Sequence, residues 1–88
     1  MIKAWSDIAW AQYLDWQEQD KKTLKKINSL LKSIERDGEL NGKGHPERLR
    51  GDMAGLCSRR IDEKNRLVYC IRGGTLEIVT CKDYYNDD

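Results

Sequence analysis

The chain has 88 residues, room for one domain and no more, and sets 16 basic side chains against 15 acidic ones for a formal charge of +1. That balance excludes a protein that holds nucleic acid by bulk charge, so any phosphate recognition must come from local clusters. Two such clusters exist: Lys21, Lys22, Lys25 and Lys26, and then Arg48, Arg50, Arg59 and Arg60, while acids gather at Asp15 to Asp20 and Asp83 to Asp88. A domain this small buries only about 60% of its unfolded surface, so its stability is modest and a partner adds to it by mass action. No apolar run is long enough to cross a membrane and no signal peptide is read. Three cysteines without CxxC spacing and one histidine exclude the usual zinc patterns, argue against a disulfide framework and point to a reducing cytoplasm.

Ile2 to Trp5 reads as a first strand. Ser6 then offers an N-cap with Asp7 in the first turn, and Ile8, Trp10, Tyr13, Leu14 and Gln17 run at helical spacing to about Glu18. Asp20 caps a second helix whose apolar stripe is Leu24, Ile27, Leu30, Leu31 and Ile34, and Gly38 ends it. The short gap between the helices predicts an antiparallel hairpin. Residues 39 to 52, with Asn41-Gly42, Gly44 and Pro46, form the one long loop. Three strands follow at about 53–62, 65–72 and 75–82, the last two joined by a two-residue turn at Gly73-Gly74. The fold class is α+β: a helical hairpin packed on a small twisted antiparallel sheet, in the order β-α-α-β-β-β.

Strand parity then places the chemistry. If the helices cover one sheet face, Leu67, Tyr69 and Ile71 point to it and Arg66, Val68 and Cys70 point away. Cys57 and Ile61 take the core side, leaving Ser58 and Arg60 on the open side. The Gly73-Gly74 turn pairs Arg72 with Thr75 and, counting back, Arg66 with Cys81. Arg60, Arg66 and the tyrosines Tyr84 and Tyr85 thus converge on one open face, with Glu47 entering just upstream. Guanidinium forks match phosphate oxygens and stay charged, and a phosphodiester transition state gains negative charge that such cations stabilise. Arginines nearby hold a glutamate ionised, as a general base requires. On parity alone the competing reading stands beside this one: Arg60 and Arg66 as solvated partners of Glu63 or Glu77, and Glu47 as a surface residue. Gly42-Lys43-Gly44 lacks the GxxxxGK[ST] spacing of a P-loop. The basic face of the second helix is either solvated or in contact with a nucleic-acid backbone, and Trp5, Trp10 and Trp16 fit core or interface better than base stacking.

Ile2-Lys3-Ala4-Trp5-Ser6, Trp10 and Tyr13-Leu14-Asp15-Trp16-Gln17 resemble the opening of YoeB/Txe-type toxins. So do Lys25-Lys26-Ile27-Asn28, Gly42-Lys43-Gly44 with Pro46-Glu47, Ser58-Arg59-Arg60-Ile61 and Arg66-Leu67-Val68-Tyr69, in matching order from about residue 2 to residue 85. The resemblance implies a single toxin domain over residues 1–88 with the microbial-ribonuclease-type fold of the RelE superfamily. It also implies an enzyme that enters the ribosomal A site and cuts mRNA without metal or other cofactor, and a YefM-type antitoxin that neutralises it. Operator DNA is then reached indirectly through the antitoxin, and a homodimer is a further assembly open to the chain. By position, Glu47 resembles the family's general base, and Arg60 and Arg66 its phosphate stabilisers. Arg50, Arg59 and Lys43 are assigned to RNA phosphate, and Tyr85 to the tyrosine that ends the family motif. One departure stands out. The family tail ends in His-Tyr, with histidine as general acid, whereas this chain has Tyr84-Tyr85. Tyrosine, with a reference pKa near 10, is the poorer donor at neutral pH. Either Tyr84 or Tyr85 supplies the proton, or the chain is a weakened member that serves as a binding module for antitoxin, operator or ribosome.

Overall fold

The computed structural model describes residues 1–83. The elements are β1 (Ile2–Trp5), α1 (Asp7–Gln19), α2 (Lys21–Asp37), β2 (Glu47–Arg48), a 3-10 turn (Gly51–Met53), β3 (Cys57–Arg60), β4 (Arg66–Arg72) and β5 (Thr75–Thr80). Helix starts and stops follow the capping residues. The Ser6 hydroxyl accepts from Ala9 N at 2.9 Å and donates to Val79 O at 2.7 Å, so one side chain both caps α1 and ties it to β5. Asp20 serves both helices. Its N–H closes α1 on Trp16 O, and its carboxylate accepts from Lys22 N, Thr23 N and the Thr23 hydroxyl. Those bonds, that of the Thr23 hydroxyl foremost, hold the Asp20 carboxyl below the usual aspartate range. Gly38, at φ +99°, ends α2.

The sheet has the order β1-β5-β4-β3-β2 and is mixed. β3 to β5 are antiparallel, as expected, and β2 joins them antiparallel to β3, but β1 lies parallel to β5, with Ile2 beside Thr75 and Trp5 beside Ile78. No tight hairpin joins β1 to its neighbour, so nothing local dictates an antiparallel pairing. The expected loop also holds a strand, since Glu47 and Arg48 pair with Ser58 and Cys57, and the strand expected at 53–62 is confined to Cys57–Arg60.

The core lies between α2 and the sheet. Ile27, Leu30 and Ile34 of α2, Ala9 of α1 and Cys57, Leu67, Tyr69, Leu76 and Ile78 of the strands are all buried, and Ile71 packs against them in part. The helix-facing parity of β4 is therefore as read. The opposite face is not open along its length, because Ser58, Val68 and Cys70 are buried too; solvent reaches it at the Arg60–Arg66 end. Register departs from the count at one point. Tyr69 pairs with Ile78 but Val68 with Thr80, so Val79 is the extra residue of a bulge. Arg66 is consequently not opposite Cys81; its backbone N donates to Asp83 O at 3.2 Å. All three cysteines are free and buried, and burial pushes the Cys81 thiol up to about 12.

Candidate active site

Arg60 ends β3 and Arg66 begins β4, and the two are register partners. A short turn joins them, braced by Asp62. Its carboxylate accepts from Lys64 N at 2.8 Å, Asn65 N at 2.7 Å and Asn65 Nδ2 at 3.0 and 3.1 Å. Burial raises the Asp62 pKa, and the bonds from Asn65 and the Lys64 backbone outweigh it, so this carboxyl titrates below its ordinary value. Asn65 in turn accepts from Asp83 N at 2.7 Å through Oδ1 and so pins the backbone, at φ +62°, just before Tyr84. Tyr84 and Tyr85 themselves lie outside the described residues.

Glu47 arrives from the other side. Because β2 pairs with β3, Glu47 stands in register with Ser58, one strand over from Arg66. Arg66 Nη1 donates to Glu47 Oε1 and to Ser58 Oγ, each at 3.0 Å. The Arg66 side chain is only 14% exposed whereas that of Glu47 is 51% exposed, so the cation is set into the surface and the carboxylate stands over it. Of the two alternative partners, Glu77 pairs with Arg72 instead. Beside the pair runs a groove of about 540 Å³ lined by Arg60, Asp62, Glu63, Lys64 and Arg66. Two guanidinium groups in the groove, with the half-exposed Glu47 carboxylate on one of them, form a set able to bind a phosphodiester and accept a proton next to it.

Arg59 corrects the sequence reading. It is fully buried on the helix side of β3, between Cys57 and Ile61. Nε donates to Tyr69 Oη at 2.9 Å, Nη1 to Ser33 Oγ at 3.0 Å and Lys43 O at 2.8 Å, and Nη2 to Gly38 O at 2.8 Å and Asn41 O at 2.6 Å. All five donors are spent inside the protein, so Arg59 is no phosphate ligand. It is instead the peg around which the loop from Gly38 to Gly44 is wound. That loop is stitched to β3 where Arg60 N donates to Gly44 O at 2.7 Å. Gly44 has φ +88°, and a Cβ there would fall 2.7 Å from Leu30 Cδ2, so only glycine lets the loop pass.

Lys43 keeps its side chain outside, with Nζ 3.4 Å from Ser29 Oγ on α2. Arg50 is exposed and caps the 3-10 turn, and makes no ion pair among the described residues. Of the residues singled out from sequence, the fold therefore brings Glu47, Arg60 and Arg66 together, leaves Lys43 and Arg50 exposed outside that set and withdraws Arg59. Sequence reasoning missed Ser58 as a ligand of Arg66 and Asn65 as the pin on Asp83. Parity had already put Ser58 on the Arg60 face, but its role emerges only once β2 is placed.

Comparison with known proteins agrees with this architecture. A family model described as the YoeB-like toxin of bacterial type II toxin-antitoxin system matches residues 5–85. Toxin YoeB of Escherichia coli strain K12 is 46% identical over 81 residues, covering 92% of this chain and 95% of that protein. Among solved structures, a YoeB/ParE toxin from Agrobacterium tumefaciens superposes with a TM-score of 0.93 at 39% identity, covering 97% of this chain and all of that one. The toxin of a heterotetrameric YoeB-YefM complex from Staphylococcus aureus and a YoeB dimer from the same organism each give 0.91 at 44% identity, over 97% of this chain and 98% of theirs. A match that starts in β1 and takes in both helices and every later strand settles the kinship: the chain belongs to the YoeB-like toxins of bacterial type II toxin–antitoxin systems.

Proposed function

We propose that this toxin is a ribosome-dependent endoribonuclease that cuts mRNA in the A site by attack of a ribose 2′-hydroxyl on the neighbouring phosphate. Glu47 takes the hydroxyl proton as the oxygen bonds to phosphorus. Arg66 and Arg60 meet the charge that grows on the non-bridging oxygens. The bond to the 5′-oxygen breaks, that oxygen takes a proton from Tyr84 or Tyr85, and the products are a 2′,3′-cyclic phosphate and a 5′-hydroxyl. The step as written needs no metal ion, because guanidinium groups supply the positive charge. Arg50 and Lys43, both exposed, are assigned to flanking phosphates.

The observation that supports this reading is the Arg66–Glu47 contact at 3.0 Å, a carboxylate held against a guanidinium that lines a groove. In the free protein each neutralises the other. An incoming phosphate competes with Glu47 for the guanidinium and releases the carboxylate beside the 2′-hydroxyl. The partner that restrains the toxin is a YefM-type antitoxin, through which operator DNA is reached, and the toxin itself pairs as a homodimer. Primer extension on mRNA in a translating extract tests the reading. The parent gives new 5′ ends at codon positions, and Glu47→Gln gives none. The second reading, a binding module without activity, rests on Tyr84 in place of the family histidine; it is the one left standing if the parent yields no cuts while still binding ribosomes.

A further inference from the structure

The charge of the helical hairpin is sharply divided. α1 carries Asp7, Asp15 and Glu18 and no base, whereas α2 carries six bases, Lys21, Lys22, Lys25, Lys26, Lys32 and Arg36, against Glu35 and Asp37. The helix is thus +4 in a chain of +1 (6 − 2 = 4), and everything else sums to −3. The arrangement within α2 is equally one-sided. At 3.6 residues per turn Lys22, Lys25, Lys26 and Lys32 fall within about 120° of its circumference, with Ser29 between them. Lys22 and Lys26, and Lys32 and Arg36, are like charges four residues apart, a spacing that destabilises a helix where opposite charges would stabilise it. The two acids do not relieve this. Glu35 pairs with Lys3 of β1, and Asp37 is held by Arg36 and Ser33. Lys25, Lys26 and Lys32 are exposed and form no ion pair among the described residues. The loop then adds one more cation to the same face, because Lys43 Nζ lies over Ser29. Gly44, the residue after Lys43, accepts from Arg60 N, so the loop that carries Lys43 meets β3 at one of the arginines that line the groove.

We infer that the exposed face of α2, continued by Lys43, is a second RNA surface: a track for the phosphodiester backbone that leads to the Arg60–Arg66 groove. The inference rests on the nuclease reading for its choice of nucleic acid. The occupant is RNA rather than an acidic protein segment, because the cations are long, separate, unpaired point charges strung along a helix, which suits a repeating phosphate and gives no apolar anchor for a peptide. No base is read on this face, so it adds affinity and leaves sequence choice to the groove.

The test is binding of a fluorescent single-stranded RNA of about 20 nucleotides made wholly of 2′-O-methyl units, which lack the attacking hydroxyl and cannot be cut, followed by anisotropy between about 50 and about 200 mM salt. For Lys25→Glu/Lys26→Glu/Lys32→Glu the dissociation constant rises at least about tenfold, and the salt slope becomes shallower by about 0.7 for each phosphate that the protein ceases to neutralise. Thermal melting checks the fold, and Lys25→Gln/Lys32→Gln carries the test if the reversed variant does not fold. Equal affinity and slope for parent and variants overturn the proposal. So does a variant that keeps RNA but loses polyglutamate, which would assign the face to a protein partner. Because the probe cannot be cleaved, loss of the nuclease reading leaves this result standing, and cleavage by a parent whose binding ignores α2 removes the track alone.

Discussion

Arg66 Nη1 stands 3.0 Å from Glu47 Oε1 and 3.0 Å from Ser58 Oγ, so a single nitrogen bridges the side chains of two register partners, one on β2 and one on β3. Replacing Glu47 with Gln keeps an oxygen for that nitrogen and removes the proton acceptor. Single-turnover cleavage on ribosomes falls by about 10²–10⁴-fold, the span of a positioned base, with the melting temperature unchanged. A variant that cuts at the parental rate removes Glu47 from the reaction.

Arg66→Ala removes the cation and the brace together. Cleavage drops by about 10²–10³-fold, as for loss of one donor to a transition-state anion. Glu47 is half exposed and turns to water, so the fold is retained. Rate and melting are read on the same sample; a protein that unfolds, or one that still cuts, contradicts the assignment.

Two adjacent arginines give a sharper contrast. Arg59→Ala strands Ser33, Tyr69 and the carbonyls of Gly38, Asn41 and Lys43 inside the protein, and a buried acceptor left without its donor costs about 1–3 kcal/mol. The loss exceeds about 3 kcal/mol in urea unfolding. Arg60→Ala, one residue on and exposed, changes stability by about 0.5 kcal/mol or less while impairing cleavage. Equal stability losses would show that Arg59 does not hold the loop.

Acid acts on the turn between the arginines. The Asp62 carboxyl titrates below its unfolded value, so the stability it gives is present above the reference pKa near 3.9 and fades as pH falls through the lower, folded value. Between about pH 5 and about pH 2 the parent therefore loses melting temperature. Asp62→Asn starts lower and loses less over that range, and parallel curves for the two proteins would rule the brace out.

Tyr84→His restores the donor type of the family motif. Near neutral pH its reference pKa of about 6.5 suits proton transfer better than that of tyrosine, and cleavage rises by about 10²–10⁴-fold. The gain shrinks at alkaline pH. An unchanged rate and pH profile moves the acid role to Tyr85 or elsewhere.

Much of this was legible in the residues because the signals were local. Ser6, Asp20 and Gly38 cap the helices they announce, and Gly73-Gly74 makes the expected turn with Arg72 beside Thr75. The failures come from tertiary effects. With Cys57 and Ile61 on the core side, alternation also turns Arg59 inward, but the charged side chain reads as a phosphate ligand until a ring of loop carbonyls is seen to receive it. The bulge at Val79 carries no glycine or proline to betray it and moves Arg66 one residue along its partner strand. The parallel pairing of β1 depends on where a strand some seventy residues later comes to rest.

That last pairing orders the making of the protein. Ile2 to Trp5 are made well before their partners Thr75 to Ile78, which follow only after both helices and the other described strands. Contacts this far apart in sequence are slow to close and close late. A chain interrupted before residue 75 owns its helices and both arginines, but β1 has no strand to lie against and β4 keeps a bare edge. The five-stranded sheet is therefore closed only once residues 75–80 have been made, and until then β1 and one edge of β4 wait unpaired.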